Sequence, residues 1–150
     1  MADVFTPEKR SEVMSLIRGK DTKPEKLVRS YLHRSGFRFR LHKRGLPGTP
    51  DLWLPKYNAA VFVNGCYWHR HRGCKYAYTP KRNRDFWLAK LTANAARDEE
   101  NQAALLRSGV RVLIVWECQL NTLKGCERTL PKIEKWLMSK SKYREIPPLA

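Results

Sequence analysis

Apolar residues fall at helical spacing early in the chain. Leu27, Val28, Tyr31 and Leu32 share one face of a predicted helix. Thr22-x-x-Glu25 supplies a capping box at its start, Pro24 lies in its first turn and Gly36 stops it. An earlier short helix is expected over residues 7–18, with Val13, Leu16 and Ile17 inward. The period then changes to two. Phe37, Phe39 and Leu41 alternate with Arg38, Arg40 and His42, the pattern of a half-buried strand. Gly and Pro dominate residues 45–50, a loop. A second strand is expected over 51–54, a turn over 55–58 and a third strand over 59–63. Residues 64–84 have no period. A long helix follows over about 85–108, stopped by Gly109, and 110–116 is the most hydrophobic strand, expected at the sheet centre. A last helix over about 129–139 turns Ile133, Trp136 and Leu137 inward.

The order α-α-β-β-β-loop-α-β-α predicts an α/β fold, a mixed-sheet core flanked by helices. The chain has 150 residues, the size of one domain. Within it, N-terminal helices are expected over about 7–36, a core over about 37–140 and a loosely held tail over 141–150.

Charge changes the picture. Lys and Arg number 30 against 14 Asp and Glu, a net charge of +16, and such an excess calls for a polyanionic partner. Nucleic acid ranks ahead of a membrane surface. No apolar run reaches the roughly 20 residues that a span needs, and MADVFTPEKR has no signal pattern. Five Trp and six Tyr accompany the cations, and aromatic rings beside cations suit bases and phosphates.

With no secretion signal, the four cysteines, Cys66, Cys74, Cys118 and Cys126, read as metal ligands sooner than as disulfides. Cys66, His71 and Cys74 lie close enough in one loop to surround a structural zinc, which takes four N or S ligands. Cys118, just past the strand 110–116, is the best fourth ligand and Cys126 the next. His69 is an alternative ligand. In extended chain, residues two apart face opposite ways, so His69 and His71 are not expected on the same ion.

Thr49-Pro50-Asp51 ends the Gly/Pro loop and opens a strand, and Phe62-Val63-Asn64 leaves the next one. Nucleases use such a carboxylate to hold Mg²⁺ beside the scissile phosphate, although a Pro-Asp turn by itself is common. The combination is more specific. Pro47-Gly48-Thr49-Pro50-Asp51, Val61 to His69 (VFVNGCYWH), Phe86-Trp87 with Lys90, Asn94, Arg97 and Asp98, and Val110 to Cys118 (VRVLIVWEC) follow one another in order. In these blocks the chain resembles the very-short-patch repair (Vsr) endonuclease family. The resemblance runs from the N-terminal helices, with Thr22 and Glu25, to Cys118.

That resemblance implies a restriction-endonuclease-like PD-(D/E)XK core with a structural zinc. It implies an Mg²⁺-dependent nick 5′ of the thymine in a T·G mismatch left by deamination of 5-methylcytosine. Asp51 would hold Mg²⁺ beside the backbone carbonyl of Val63, and His69 would be the general base. Cys66, His71, Cys74 and Cys118 would bind Zn²⁺. Tyr67, Trp68 and Trp87 would wedge into the base stack. Glu25 and Asp98 would orient His69 or the water around the metal. The partner would be double-stranded DNA, met by a monomer in the bacterial cytoplasm at the nucleoid, with a functional link to a cytosine-5 DNA methyltransferase.

Each role competes with a plainer one. Phe86, Leu88 and Leu91 suggest that Trp87 lies on a buried helix face, Glu25 suits its capping box, and Asp98 could be a solvated helix charge. Asn64 stands where relatives often carry His or Asp, and an amide is neither acid nor base. Tyr67 stands where Phe is common, and C-x4-H-x2-C is looser than in some relatives. Two alternative functions are a restriction-type nuclease acting on unmispaired DNA and a non-catalytic zinc-containing DNA-binding module. The second needs neither Asp51 nor His69.

Overall fold

The computed structural model describes residues 22–148, and the helix expected over residues 7–18 lies outside them. The first described helix, α1 (Lys23–Arg34), is capped by Thr22, whose Oγ1 accepts from the Glu25 N–H at 3.5 Å. The capping box is only half made: the Glu25 side chain turns to His42 instead. Val28 and Leu32 are fully buried on its inner face.

The strand expected from Phe37 shrinks to β1 (Arg40–Leu41), and Leu41 is 41% exposed. A two-residue edge strand has no core to face at its tip. β2 (Leu52–Leu54) and β3 (Ala59–Asn64) flank a 3₁₀ turn at Pro55–Tyr57. The long helix is α2 (Arg84–Arg107), followed by β4 (Arg111–Trp116). The last helix, α3 (Leu123–Met138), starts well before the expected position, with Thr122 as cap. Residues expected to form a loose tail make β5 (Tyr143–Ile146) instead, and Ile146 is buried.

The sheet order is β1-β2-β3-β4-β5. The pairs β1–β2 and β2–β3 are antiparallel, and β3–β4 and β4–β5 are parallel. The expected mixed sheet is therefore present, but β3 takes its centre, and β4 lies between β3 and β5. Strand alternation sorts the core into two layers. Ala59, Val61, Val63, Leu113 and Val115 pack on Val28 and Leu32 of α1 and on Ile133, Trp136 and Leu137 of α3. Ala60, Phe62, Val112, Ile114 and Trp116 pack on Leu105 of α2 and on Cys66. Among the described residues, no helix is long and apolar enough to cross a membrane.

Candidate active site

The carboxyl end of β3 organises everything that follows. Asp51, just ahead of β2, accepts the Val63 N–H through Oδ2 at 2.7 Å. Its entry loop is tight. Gly48 has φ +79°, and an added Cβ there would sit 3.1 Å from the Phe62 ring and 3.2 Å from Asn101 Cβ. Thr49, a β-branched residue, is held at φ +47°. Burial pushes the Asp51 carboxyl well above the usual carboxylate range. A hydrogen bond with Glu25 and the Glu25 charge push the same way, and the Val63 N–H opposes them. Glu25 and Asp51 are joined by His42: one ligand atom from each lies within 4.8 Å of the others. Two carboxylates and an imidazole this close, two of the three donors being acidic, suit a cation.

Beyond β3 the chain runs through consecutive turns, not the extended segment assumed from the sequence. Arg70 is left-handed at φ +55°. His69 and His71 nevertheless part company. His69 Nδ1 lies 2.6 Å from Asp98 Oδ2 on α2. A carboxylate only accepts, so Nδ1 carries a proton, and in the neutral ring it is Nε2 that has the lone pair. A cavity of about 430 Å³ adjoins the pair, with Asn64, Arg70, Arg72 and Trp116 in its walls. Asn64 is buried at the strand end.

His71 turns the other way. Its Nδ1 is 3.5 Å from Cys66 Sγ and 3.6 Å from Cys118 Sγ, and its ring stacks on Trp116 at 4.1 Å. Cys74 completes a set whose four ligand atoms all lie within 4.8 Å of one another. A tetrahedral ion with bonds of about 2.0–2.3 Å has ligand–ligand edges of about 3.5–3.8 Å, which fits these spacings. Burial pushes the Cys66 and Cys118 thiols up and the His71 imidazole down. The neutral ring is ready to ligate, and the thiols would lose their protons only to a cation. Cys126 is outside this set, its Sγ 3.5 Å from the Leu120 carbonyl.

Tyr67 and Trp68 lie between these groups as a half-exposed aromatic cluster. Their ring centroids are 5.0 Å apart, and those of Trp68 and Trp87 are 6.1 Å apart. Phe86, which suggested a buried face around Trp87, is 61% exposed, and Trp87 turns to the cluster instead. Sequence reasoning missed two members. Tyr78 packs on Tyr67 at 5.1 Å, an aromatic with no periodic context to mark it. His42 was read only as the polar partner in a strand alternation; closing the hairpin around the Gly/Pro loop would have set it opposite Asp51. Asn94, quoted only within the family blocks, donates to the Trp68 carbonyl at 3.3 Å and so ties the cluster to α2.

Comparison with known proteins points one way. The family model for the DNA mismatch endonuclease Vsr matches residues 2–75. A type II nicking enzyme, V.XorIIP of Xanthomonas oryzae pv. oryzae, is 47% identical over 133 residues, 89% of this chain and 97% of that protein. V.NmeAIP of Neisseria meningitidis, also a type II nicking enzyme, is 44% identical over 133 residues, covering 89% and 94%. The DNA mismatch endonuclease Vsr of Escherichia coli is 36% identical over 148 residues, covering 97% and 94%.

Proposed function

This chain belongs to the Vsr family of DNA mismatch endonucleases, and we propose that it nicks one strand of double-stranded DNA 5′ of the thymine in a T·G mismatch, with Mg²⁺ as cofactor. The observation that carries this reading is the arrival of two separate devices at one strand end: the half-buried Asp51 carboxyl and the His69–Asp98 pair. A module that only bound DNA would need neither.

Asp51 and the backbone carbonyl of Val63 would hold the ion, with Glu25 beside them. When bound, Mg²⁺ would offset charge on the phosphate and on the leaving oxygen. His69 Nε2 takes the proton of the attacking water as its oxygen bonds to phosphorus and the bond from phosphorus to the leaving sugar oxygen breaks. Asp98 holds the ring through Nδ1 and stabilises the imidazolium that results. Asn64 has no titratable group and can only position water or phosphate. Cys66, His71, Cys74 and Cys118 would hold a structural Zn²⁺ and so pin the loop that carries His69 and the aromatic cluster. Tyr67, Trp68 and Trp87 wedge into the stack, at a cost of a few kcal/mol that is least at a mispair. The +16 charge engages the phosphates. On this reading a monomer acts in the bacterial nucleoid, downstream of a cytosine-5 methyltransferase whose deaminated product is the T·G pair.

The test is nicking of labelled duplexes carrying T·G, another mismatch or none, with and without Mg²⁺. Equal cutting of the fully paired duplex would replace this reading with a restriction-type nuclease. Within the same assay, Trp68→Ala should lose discrimination between T·G and paired DNA more than general affinity. Stacking is worth roughly 1–3 kcal/mol per base by alanine substitution, whereas phosphate contacts carry no sequence information. Equal losses on both duplexes would make Trp68 a packing residue.

Asp51→Asn should abolish nicking yet stabilise the metal-free fold. The sign follows from the raised carboxyl. Stability from the neutral form is full below the ordinary carboxylate pKa and is lost as pH rises through the higher folded value. The amide never ionises, and its oxygen can still accept the Val63 N–H. Metal-free Asp51→Asn should therefore melt a few degrees above wild type at neutral pH, about 1 kcal/mol corresponding to roughly 2–4 °C at this size. The gap should close at low pH. A variant that melts lower at neutral pH would mean that the carboxylate is already compensated without metal.

A further inference from the structure

We propose that His42 is a nitrogen ligand to the cation at Asp51, which makes this a mixed oxygen–nitrogen site and shifts its preference from Mg²⁺ toward Mn²⁺. The proposal rests on Asp51 as a metal ligand, as argued above. It starts from strand register. Arg40 pairs with Trp53 and Leu41 with Leu52, so the next step sets His42 opposite Asp51. The His42 N–H donates to the Asp51 carbonyl at 3.1 Å and continues the ladder. The backbone at His42 is left-handed, φ +48°, although the residue is not glycine. That conformation costs free energy and is found where surrounding structure fixes a side chain in place.

The ring ends in the site. His42 Nε2 is 3.1 Å from Glu25 Oε2, and the two side chains are 12% and 7% exposed. Two cis ligands of an octahedral ion with bonds of about 2.1–2.2 Å are separated by about 3.0–3.1 Å. A cation can thus replace this hydrogen bond with little movement of either residue, once Nδ1 carries the ring proton. Mg²⁺ dehydrates reluctantly and favours oxygen donors. Imidazole favours transition metals, and Mn²⁺ accepts both donor types.

The experiment uses full-length, zinc-loaded protein with Mn²⁺ as probe. Electron spin-echo envelope modulation should show an imidazole ¹⁴N coupled to bound Mn²⁺. His42→Gln, which keeps a hydrogen-bond donor for Glu25, should abolish that coupling. His69→Ala should retain it. By calorimetry, His42→Gln should weaken Mn²⁺ binding by about 10-fold or more and change Mg²⁺ binding much less. Mn²⁺ bound without nitrogen coupling, coupling that survives His42→Gln, or equal losses for both ions would overturn the proposal. The Asp51 site would stand in those cases. Absence of any Mn²⁺ or Mg²⁺ binding that Asp51→Asn removes would overturn the Asp51 reading as well.

Discussion

Replacing Cys118 by alanine is expected to release one bound zinc and to unfold the loop after β3. Cys66, His71 and Cys74 all lie within that loop, whereas Cys118 follows β4, whose two sheet neighbours hold it in place. Cys118 is therefore the member of the set that would fasten the loop to the sheet once a metal is bound. The loop has little else: from Gly65 to Asn83 it forms turns without helix or strand. Structural zinc contributes apparent binding free energies of about 10–16 kcal/mol in small domains. A typical fold has only about 5–15 kcal/mol to lose. Even partial loss should lower the melting temperature steeply and expose a segment that carries His69. Cys126→Ala is the control. Its half-buried thiol lies 3.5 Å from the Leu120 carbonyl and touches the edge of the core. It should keep a full equivalent of zinc and lose roughly 1 kcal/mol, as for a modest buried truncation. Elemental analysis beside thermal melting checks both variants. Zinc retained in Cys118→Ala and lost from Cys126→Ala would move the fourth ligand to Cys126.

Local pattern carried most of the fold into view, and failed where stability comes from distant partners. α1 and β4 were legible because their apolar spacing is regular and their caps or flanks are ordinary. β5 was not. Tyr143, Arg144 and Glu145 carry almost no apolar signal, and the strand exists through its parallel pairing with β4. The Arg111 guanidinium also reaches the carbonyls of Ser139 and Ser141, which draws the chain back toward the sheet. The early start of α3 was hidden by Gly125 and Pro131, both poor helix formers. Gly125 is required there: an added Cβ would lie 2.6 Å from the Gln119 carbonyl oxygen. The apolar face of Ile133, Trp136 and Leu137 outweighs the hydrogen bond that Pro131 removes.

The site divides in the same way. Cys66, His71 and Cys74 are within nine residues, so their meeting could be read from spacing. The convergence of Cys118 followed from its position after a strand. Asp98 needed the length of α2 to reach His69, which spacing along one helix does not reveal. The separation of His69 from His71 was anticipated for the wrong reason. It comes from consecutive turns and a left-handed Arg70, not from the two-residue period of an extended chain. His42 depended on hairpin register, which the loop sequence suggests only once the pairing of its two strands is assumed.

His69→Ala is expected to lower the nicking rate by about 10²–10⁴-fold, the usual contribution of a positioned general base, with zinc content and melting temperature near wild type. His69 is about one-third exposed and touches Asp98, not the cysteines, so its removal opens no core cavity and takes no ligand from the cluster. His71→Ala should show the opposite order of effects. His71 is buried, stacked on Trp116 and in contact with two of the thiols, so zinc loss and unfolding should precede any specific loss of rate. Asp98→Asn separates positioning from charge. With its amide oxygen turned to Nδ1 the ring tautomer is kept, but the amide cannot stabilise the imidazolium formed when Nε2 takes the proton. The rate should therefore fall by less than in His69→Ala, with substrate affinity little changed. In the His69→Ala background, Asp98→Asn should have almost no further effect, because the two residues act as one unit. Independent, multiplicative losses in that double variant would detach Asp98 from the base. Zinc lost from His69→Ala and kept in His71→Ala would exchange the two histidines' roles outright.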